Sequence, residues 1–400
     1  MPGTGFGGPS FIATRCYFAN RQPVPRVNRS SLAGKLTVLA LALACAGCAT
    51  PTVRVAEPDL APIEGERAGS APWWEQAGDP VLAQVIAQGL AHDPALACQA
   101  WTLHADADRA TARQRQLSGR MAGLFGKAPV LQGPPARAYA YAALVNRRAA
   151  AIGEAYLAVR LAQARLVARN AAVAPWKDNT EIARFRREAG LVSTIDSALG
   201  GVMVDLDADA VTQAQADVAL ALTRLGEQTG LDVDALVTLL GEGGPVPALT
   251  DIAAPEPRRA GLMVVRQEQG QAVLAGKATL DQARAALASA TAASNVDIDS
   301  ATKALAAARE LVEAGARTLI QADRTVRDAR AGYRAGAEPF ATLYVAEASA
   351  LAATEADATA RAGLARAQIR LWAAQGLGWT LADLAPAAPA QAPSRCPAQP

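Results

Sequence analysis

Four hundred residues can make two ordinary domains or one elongated one, and a net charge of +2 without any basic block argues against a nucleic-acid binder. Hydrophobic residues make up 51% of the chain but aromatics only 4%, so alanine-rich helices packed along their length are expected, not a wide globular core. No glycine-rich phosphate loop follows a strand and no nucleophile–histidine–acid set occurs, which leaves nothing to support an enzyme.

Residues 1–47 read as a leader. Arg26, Arg29 and Lys35 precede an apolar run, Leu36 to Ala44, that is too short to span a bilayer. Ala46-Gly47-Cys48 follows, and the whole order resembles a bacterial lipoprotein signal, with Cys45 where leucine is usual. The resemblance implies lipidation of Cys48 as the first mature residue; an ordinary secretory signal is the alternative. Residues 1–25 resemble no leader, and translation is expected to begin at Val27. Residues 48–72, with Pro51, Pro58, Pro62 and Pro72, read as an extended arm.

A first helical-hairpin repeat is assigned to residues 73–240. Trp73-Trp74 precede Asp79-Pro80, an N-cap followed by proline at the first helical position. Val81, Leu82, Val85, Ile86 and Leu90 then form one face of a short helix, and Asp93-Pro94 opens another through about Arg115. Trp73 to Leu82, with Ile86, Leu90 and Asp93-Pro94-Ala95-Leu96, resembles the N-terminal segment of outer-membrane efflux proteins of the TolC type. The resemblance runs to about Trp379. It implies a homotrimer whose long helices form a periplasmic tunnel, with a β-hairpin from each repeat building a twelve-stranded membrane barrel. It further implies helical tips that meet a periplasmic adaptor, itself joined to an inner-membrane pump.

The sequence departs from that pattern at the membrane end. Between Arg115 and Ala138 the chain carries Gly119, Gly123, Gly126, Pro129, Gly133, Pro134 and Pro135, and no alternating run of 9–11 residues. The equivalent stretch between Pro257 and about Asp281 reads as helix or irregular chain. Both membrane hairpins are expected to be vestigial or absent, and the fold class is all-α: elongated, duplicated helical hairpins in a TolC-like α-barrel arrangement.

From about Ala138 to Ala189 the pattern is helical, and Pro175 is expected to kink the helix or divide it. Ile152, Val159, Leu166 and Val173 lie seven apart, the spacing of a coiled-coil seam. Gly190 marks a tip; Ser193 or Thr194 can cap the returning helix, which stops at Gly230, and Asp232 to Leu240 is a short amphipathic helix. Residues 241–257 are a Pro/Gly linker.

The second repeat, residues 258–383, repeats the first at an offset of 146. Ile298, Leu305, Val312, Leu319, Val326 and Tyr333 form the seam, Gly336 matches Gly190, Arg370-Leu371 match Arg224-Leu225, and Gly376-Leu377 match Gly230-Leu231. Residues 384–400 read as a disordered Pro/Ala tail.

By the resemblance, Arg186, Gly190, Leu191, Val192, Ser193, Tyr333, Gly336 and Ala337 form the adaptor-docking tip, and Asp196 lies at the aperture. Arg187 replaces the usual aromatic, Gly332 stands where arginine is common, and Thr342 sits opposite Asp196, so an acidic ring could draw on one repeat only. The plainer reading is that both glycines are simply turn residues. His92 and His104 have no metal-ligand spacing, and Asp205, Asp207 and Asp209 read as a solvated face; no cofactor is implied. Cys98 reads as a small buried apolar residue, with a Cys98–Cys396 bridge as the alternative in an oxidising compartment. The functions left in view are a passive exit duct and a lipid-anchored periplasmic scaffold that has lost its pore.

Overall fold

The computed structural model describes residues 58–60, 71–115, 134–192, 194–241, 243–253, 259–389, 393 and 396. The leader, Cys48, the proposed start at Val27 and most of the first membrane-hairpin region lie outside the described residues. The helices are α1 (Trp73–Gln76), α2 (Pro80–His92), α3 (Pro94–Arg115), α4 (Ala136–Glu188), α5 (Thr194–Thr229), α6 (Val233–Leu240), α7 (Ala260–Leu274), α8 (Leu280–Ala335) and α9 (Phe340–Ala374), followed by a 3-10 turn at Leu381–Leu384. Among the described residues there is no β-strand.

Capping residues set the helix starts. Asp79 Oδ1 accepts from the amides of Val81 and Leu82, and Asp93 Oδ1 accepts from Ala95 and Leu96, so each Asp-Pro pair satisfies the first-turn donors that a helix leaves open. Thr279 and Gln282 form a reciprocal capping box at the head of α8.

The four long helices lie side by side in the order α5–α4–α9–α8, with each neighbouring pair antiparallel. Both heptad seams face inward along this layer. Leu305, Val326 and Tyr333 are buried and Ile298, Val312 and Leu319 half-buried; in the first repeat Ile152 and Val159 are buried and Leu166 and Val173 half-buried. Three residues after each seam position of α8 runs a second line, Ala301, Ala308, Gly315, Ala322 and Ala329, also buried or half-buried. Its small side chains let α9 come close: a methyl placed on Gly315 would sit 3.7 Å from the Asp357 Cα. Alternating large and small lines explain how an alanine-rich chain builds a tight helical layer without aromatics.

The seam between α4 and α9 is polar and steps in antiparallel register. Asn179 meets Glu347, Arg169 meets Glu355, Arg165 meets Thr359, and Glu154 meets Arg370. Beyond the end of α9, α7 takes its place between α4 and α8, burying Met263 and Leu262 against Tyr139, Ala142, Ala283 and Leu287.

The two tryptophans close the duplication. Trp73 is fully buried, its amide donates to the Leu377 carbonyl at 3.0 Å, and its ring lies 5.5 Å from that of Trp372. The start of the first repeat is thereby wedged against the end of the second. The linker also packs. Thr250 N–H donates to Ala77 O, Gln368 Nε2 to Leu249 O and Asp251 Oδ1, and Arg309 pairs with Asp251, so the strap crosses from the first repeat to α9 and α8.

Two expectations need correction. Pro175 does not divide its helix: α4 runs unbroken for 53 residues, held on both sides by α5 and α9 so that one missing backbone donor does not end it. Cys98 is not a free apolar residue but is bridged to Cys396. At the end of the second repeat Leu381–Leu384 form a 3-10 turn, and within the following Pro/Ala tail the Pro386 carbonyl lies 2.7 Å from His104 Nε2.

Where the resemblance places the second membrane hairpin, α7 and α8 are joined by Ala275–Thr279 only, with Lys277 N–H and Ala278 N–H both donating to Ala272 O. Five residues cannot hold a pair of membrane strands, each of which needs about 9–11. The second membrane hairpin is absent.

Candidate partner-binding tips

Each helical hairpin reverses through the same backbone device. In the first tip, Gly190 has φ +73°, Gly190 N–H donates to Arg187 O at 2.9 Å, and Leu191 N–H donates to Arg186 O at 2.8 Å. In the second, Gly336 has φ +78°, Gly336 N–H donates to Tyr333 O at 3.0 Å, and Ala337 N–H to Gly332 O at 2.9 Å. Both are Schellman turns, which need a left-handed residue after the last helical turn, and glycine adopts that conformation without a Cβ penalty.

Beneath the turns the two tips share one core. Ala183, Val326, Ala329, Tyr333, Phe340, Leu343 and Ala346 are buried together, with the Tyr333 and Phe340 rings 5.8 Å apart. Glu347, itself buried, receives Asn179 Nδ2 and Arg330 Nε at 2.8 Å each on one carboxylate oxygen. Arg186 pins the tips to each other. Its Nη1 donates to the Tyr333 carbonyl at 2.9 Å, its guanidinium lies 5.0 Å above the Tyr333 ring, and its Nη2 covers the open face of Gly336. A more exposed pair, Arg334 and Asp178 at 3.4 Å, spans the same gap.

The tip residues named from the sequence therefore divide. Arg186 and Tyr333 face into the shared core. Gly190, Leu191, Gly336 and Ala337 are exposed and Val192 is half-buried. Ser193 lies outside the described residues, as does the side chain of Asp196, whose backbone is in the first turns of α5. Sequence reading missed Phe185, which is 57% exposed, with the Arg184 guanidinium 4.9 Å above its ring; Leu191 is 72% exposed.

The remaining candidates stay apart from the tips. Asp205 and Asp209 are exposed; Asp207 is half-buried, and burial, with a lesser contribution from the Glu347 charge, pushes its carboxyl above the usual range while Arg169 opposes this. His92 sits against the Gln88 carbonyl and His104 against Pro386. Among the described residues no group of three or more His, Cys, Asp or Glu is placed to hold a metal ion. An open groove of about 970 Å³ between α4 and α5, walled by alanines and rimmed by Arg165, Arg169, Asp217 and Glu227, carries mixed charge and no catalytic arrangement.

No protein-family model matches the chain, and no curated protein matches it. Solved structures do. It is similar to the outer-membrane channel OprN at 19% identity and a TM-score of 0.62, over 82% of this chain and 96% of that one. It is similar to a membrane protein from Pseudomonas aeruginosa at 16% identity and 0.64, over 81% and 99%. It is similar to the outer membrane protein VceC of Vibrio cholerae at 15% and 0.57, over 76% and 99%. The duplicated hairpins, the helical layer and these likenesses agree: the chain has the fold of the TolC-type outer-membrane efflux proteins.

Proposed function

We propose that this chain is the outer-membrane-side component of an export or efflux assembly, a passive duct formed by three copies. The observation that carries the reading is the open layer. α5 and α8 lie at its two edges, and each exposes large apolar side chains, Val202, Leu206 and Leu220 on one and Val296, Leu311 and Ile320 on the other. Different edges meeting head to tail make a heterologous contact, which closes into a ring when the rotation fits. Three four-helix layers would enclose a twelve-helix tunnel. The reading is not enzymatic: the helices supply a conduit, a pump supplies the energy, and an adaptor docks at the tips. Lipidated Cys48 would hold the assembly at the periplasmic side of the outer membrane.

A second reading, a lipid-anchored scaffold that binds an adaptor and conducts nothing, is favoured by the five-residue α7–α8 connection, which removes one membrane hairpin from each copy. No described helix is long and apolar enough to cross a membrane. Single-channel recording of the purified full-length protein in planar bilayers separates the two. Stable unitary conductance supports the duct; a silent bilayer with an intact helical spectrum supports the scaffold.

A further inference from the structure

The two tips share a backbone but not a surface. At an offset of 146, the Schellman pair that brackets the turn is Phe185 and Leu191 in the first tip and Ala331 and Ala337 in the second. The hydrogen bond from Leu191 N–H to Arg186 O brings Leu191 back beside the last helical turn, where an apolar contact with the residue before Arg186 is the usual companion of this motif. Yet both side chains remain more than half in water, which a simple staple does not require. The flanking charges differ as well. Arg330, the counterpart of Arg184, is spent on buried Glu347, and Tyr333, the counterpart of Arg187, is 1% exposed. Among the described residues Arg184 and Arg187 have no ion-pair partner. Gly190 faces open space, whereas the face of Gly336 is covered by Arg186.

We propose that each chain docks its partner through the first tip alone, and that the partner is a helical surface presenting apolar and acidic side chains. Phe185 and Leu191 form the apolar knob; Arg184 and Arg187 form a basic rim that selects acidic residues and repels basic ones. The second tip serves as an internal brace for the first, with Arg186 as the bolt. The proposal rests on the adaptor-docking part of the function proposed above and sets its stoichiometry at one contact per chain, where two equivalent tips would offer two.

The test uses the full-length protein in detergent and a synthetic helical-hairpin peptide whose tip carries leucines and glutamates, followed by calorimetric titration. The expected result is one peptide per chain. F185E with L191E should weaken binding by about tenfold or more, while A331E with A335E, at two exposed second-tip alanines, leaves it unchanged. R184E with R187E should abolish binding of this peptide and restore it for a peptide with lysines in place of the glutamates, an exchange that a purely structural role would not produce. Two peptides per chain, or equal loss from the second-tip pair, would overturn the asymmetry. Failure of the unaltered protein to bind the acidic peptide would overturn the partner chemistry. Each result is read per chain and does not depend on conductance, so a silent bilayer would remove the duct and leave the docking site standing.

Discussion

Arg160 is 8% exposed, and its position is explained by what it satisfies. Its Nε donates to the Tyr156 hydroxyl oxygen at 2.9 Å, and its Nη1 donates to Gln163 Oε1 and to the Leu240 carbonyl at the end of α6. The Tyr156 hydroxyl donates in turn to Asp79 Oδ2 at 2.7 Å, so the cap of α2, the core of α4 and the end of α6 share one buried chain of hydrogen bonds. Asp79→Ala removes both the cap and the acceptor of the tyrosine hydroxyl. The expected loss is about 2–4 kcal/mol, summing roughly 1 for the cap and 1–3 for the stranded group, read as a lower midpoint in urea unfolding. Tyr156 also sets an alkaline limit. Burial is the first cause that pushes its phenol above the usual value, and Tyr139 moves the same way by burial. A folded-state pKa raised above the unfolded one means that the neutral phenol stabilises the fold below about pH 10. That contribution is lost as pH rises from there through the folded value, at about 1.4 kcal/mol per pH unit per tyrosine. Melting temperature should therefore fall steeply above pH 10 and more gently in Tyr156→Phe; an identical slope in the two proteins would exclude this tyrosine as a cause.

At the scale of elements, the large heptad line of α8 was legible in the sequence because coiled-coil period is a local property. The small line beside it was not, because alanine is everywhere in this chain and marks no face until a neighbour is placed. Ala308→Phe puts a ring where α9 must approach, and is expected to cost about 1–3 kcal/mol by overpacking, measured as a shift in the urea midpoint. That the helix is not divided at Pro175 was illegible for a related reason. Proline penalises an isolated helix, but tertiary packing against α5 and α9 outweighs it here. Pro175→Ala should therefore stabilise the protein by roughly 1–3 kcal/mol, since it restores a backbone donor and removes a ring clash without touching the seam. A loss of stability would mean that the proline makes a contact the helix depends on. At the tips, the glycines and the turn were readable from sequence. The Arg186 bolt was not: Arg186 and Tyr333 stand 147 residues apart, and nothing local couples them.

For the whole molecule, the duplication and the missing second membrane hairpin were visible as a constant offset and as the lack of an alternating run. How the ends are tied was not. The Cys98–Cys396 bridge joins residues 298 apart; the sequence offered that pairing only as an alternative, because a cysteine in a helical pattern reads equally well as a small buried apolar residue. Cys98→Ser with Cys396→Ser is expected to keep the helical spectrum and lower stability by about 2–4 kcal/mol, with the chain after Trp379 becoming sensitive to protease. The proposed duct requires the α5 and α8 edges to close on copies of this chain. Native mass spectrometry of the full-length protein released from detergent tests it most directly. The expected result is the mass of three chains for the unaltered protein, and of a single chain when Leu206→Glu and Leu220→Glu are combined on the α5 edge. A single-chain mass for the unaltered protein across the concentration range would contradict it.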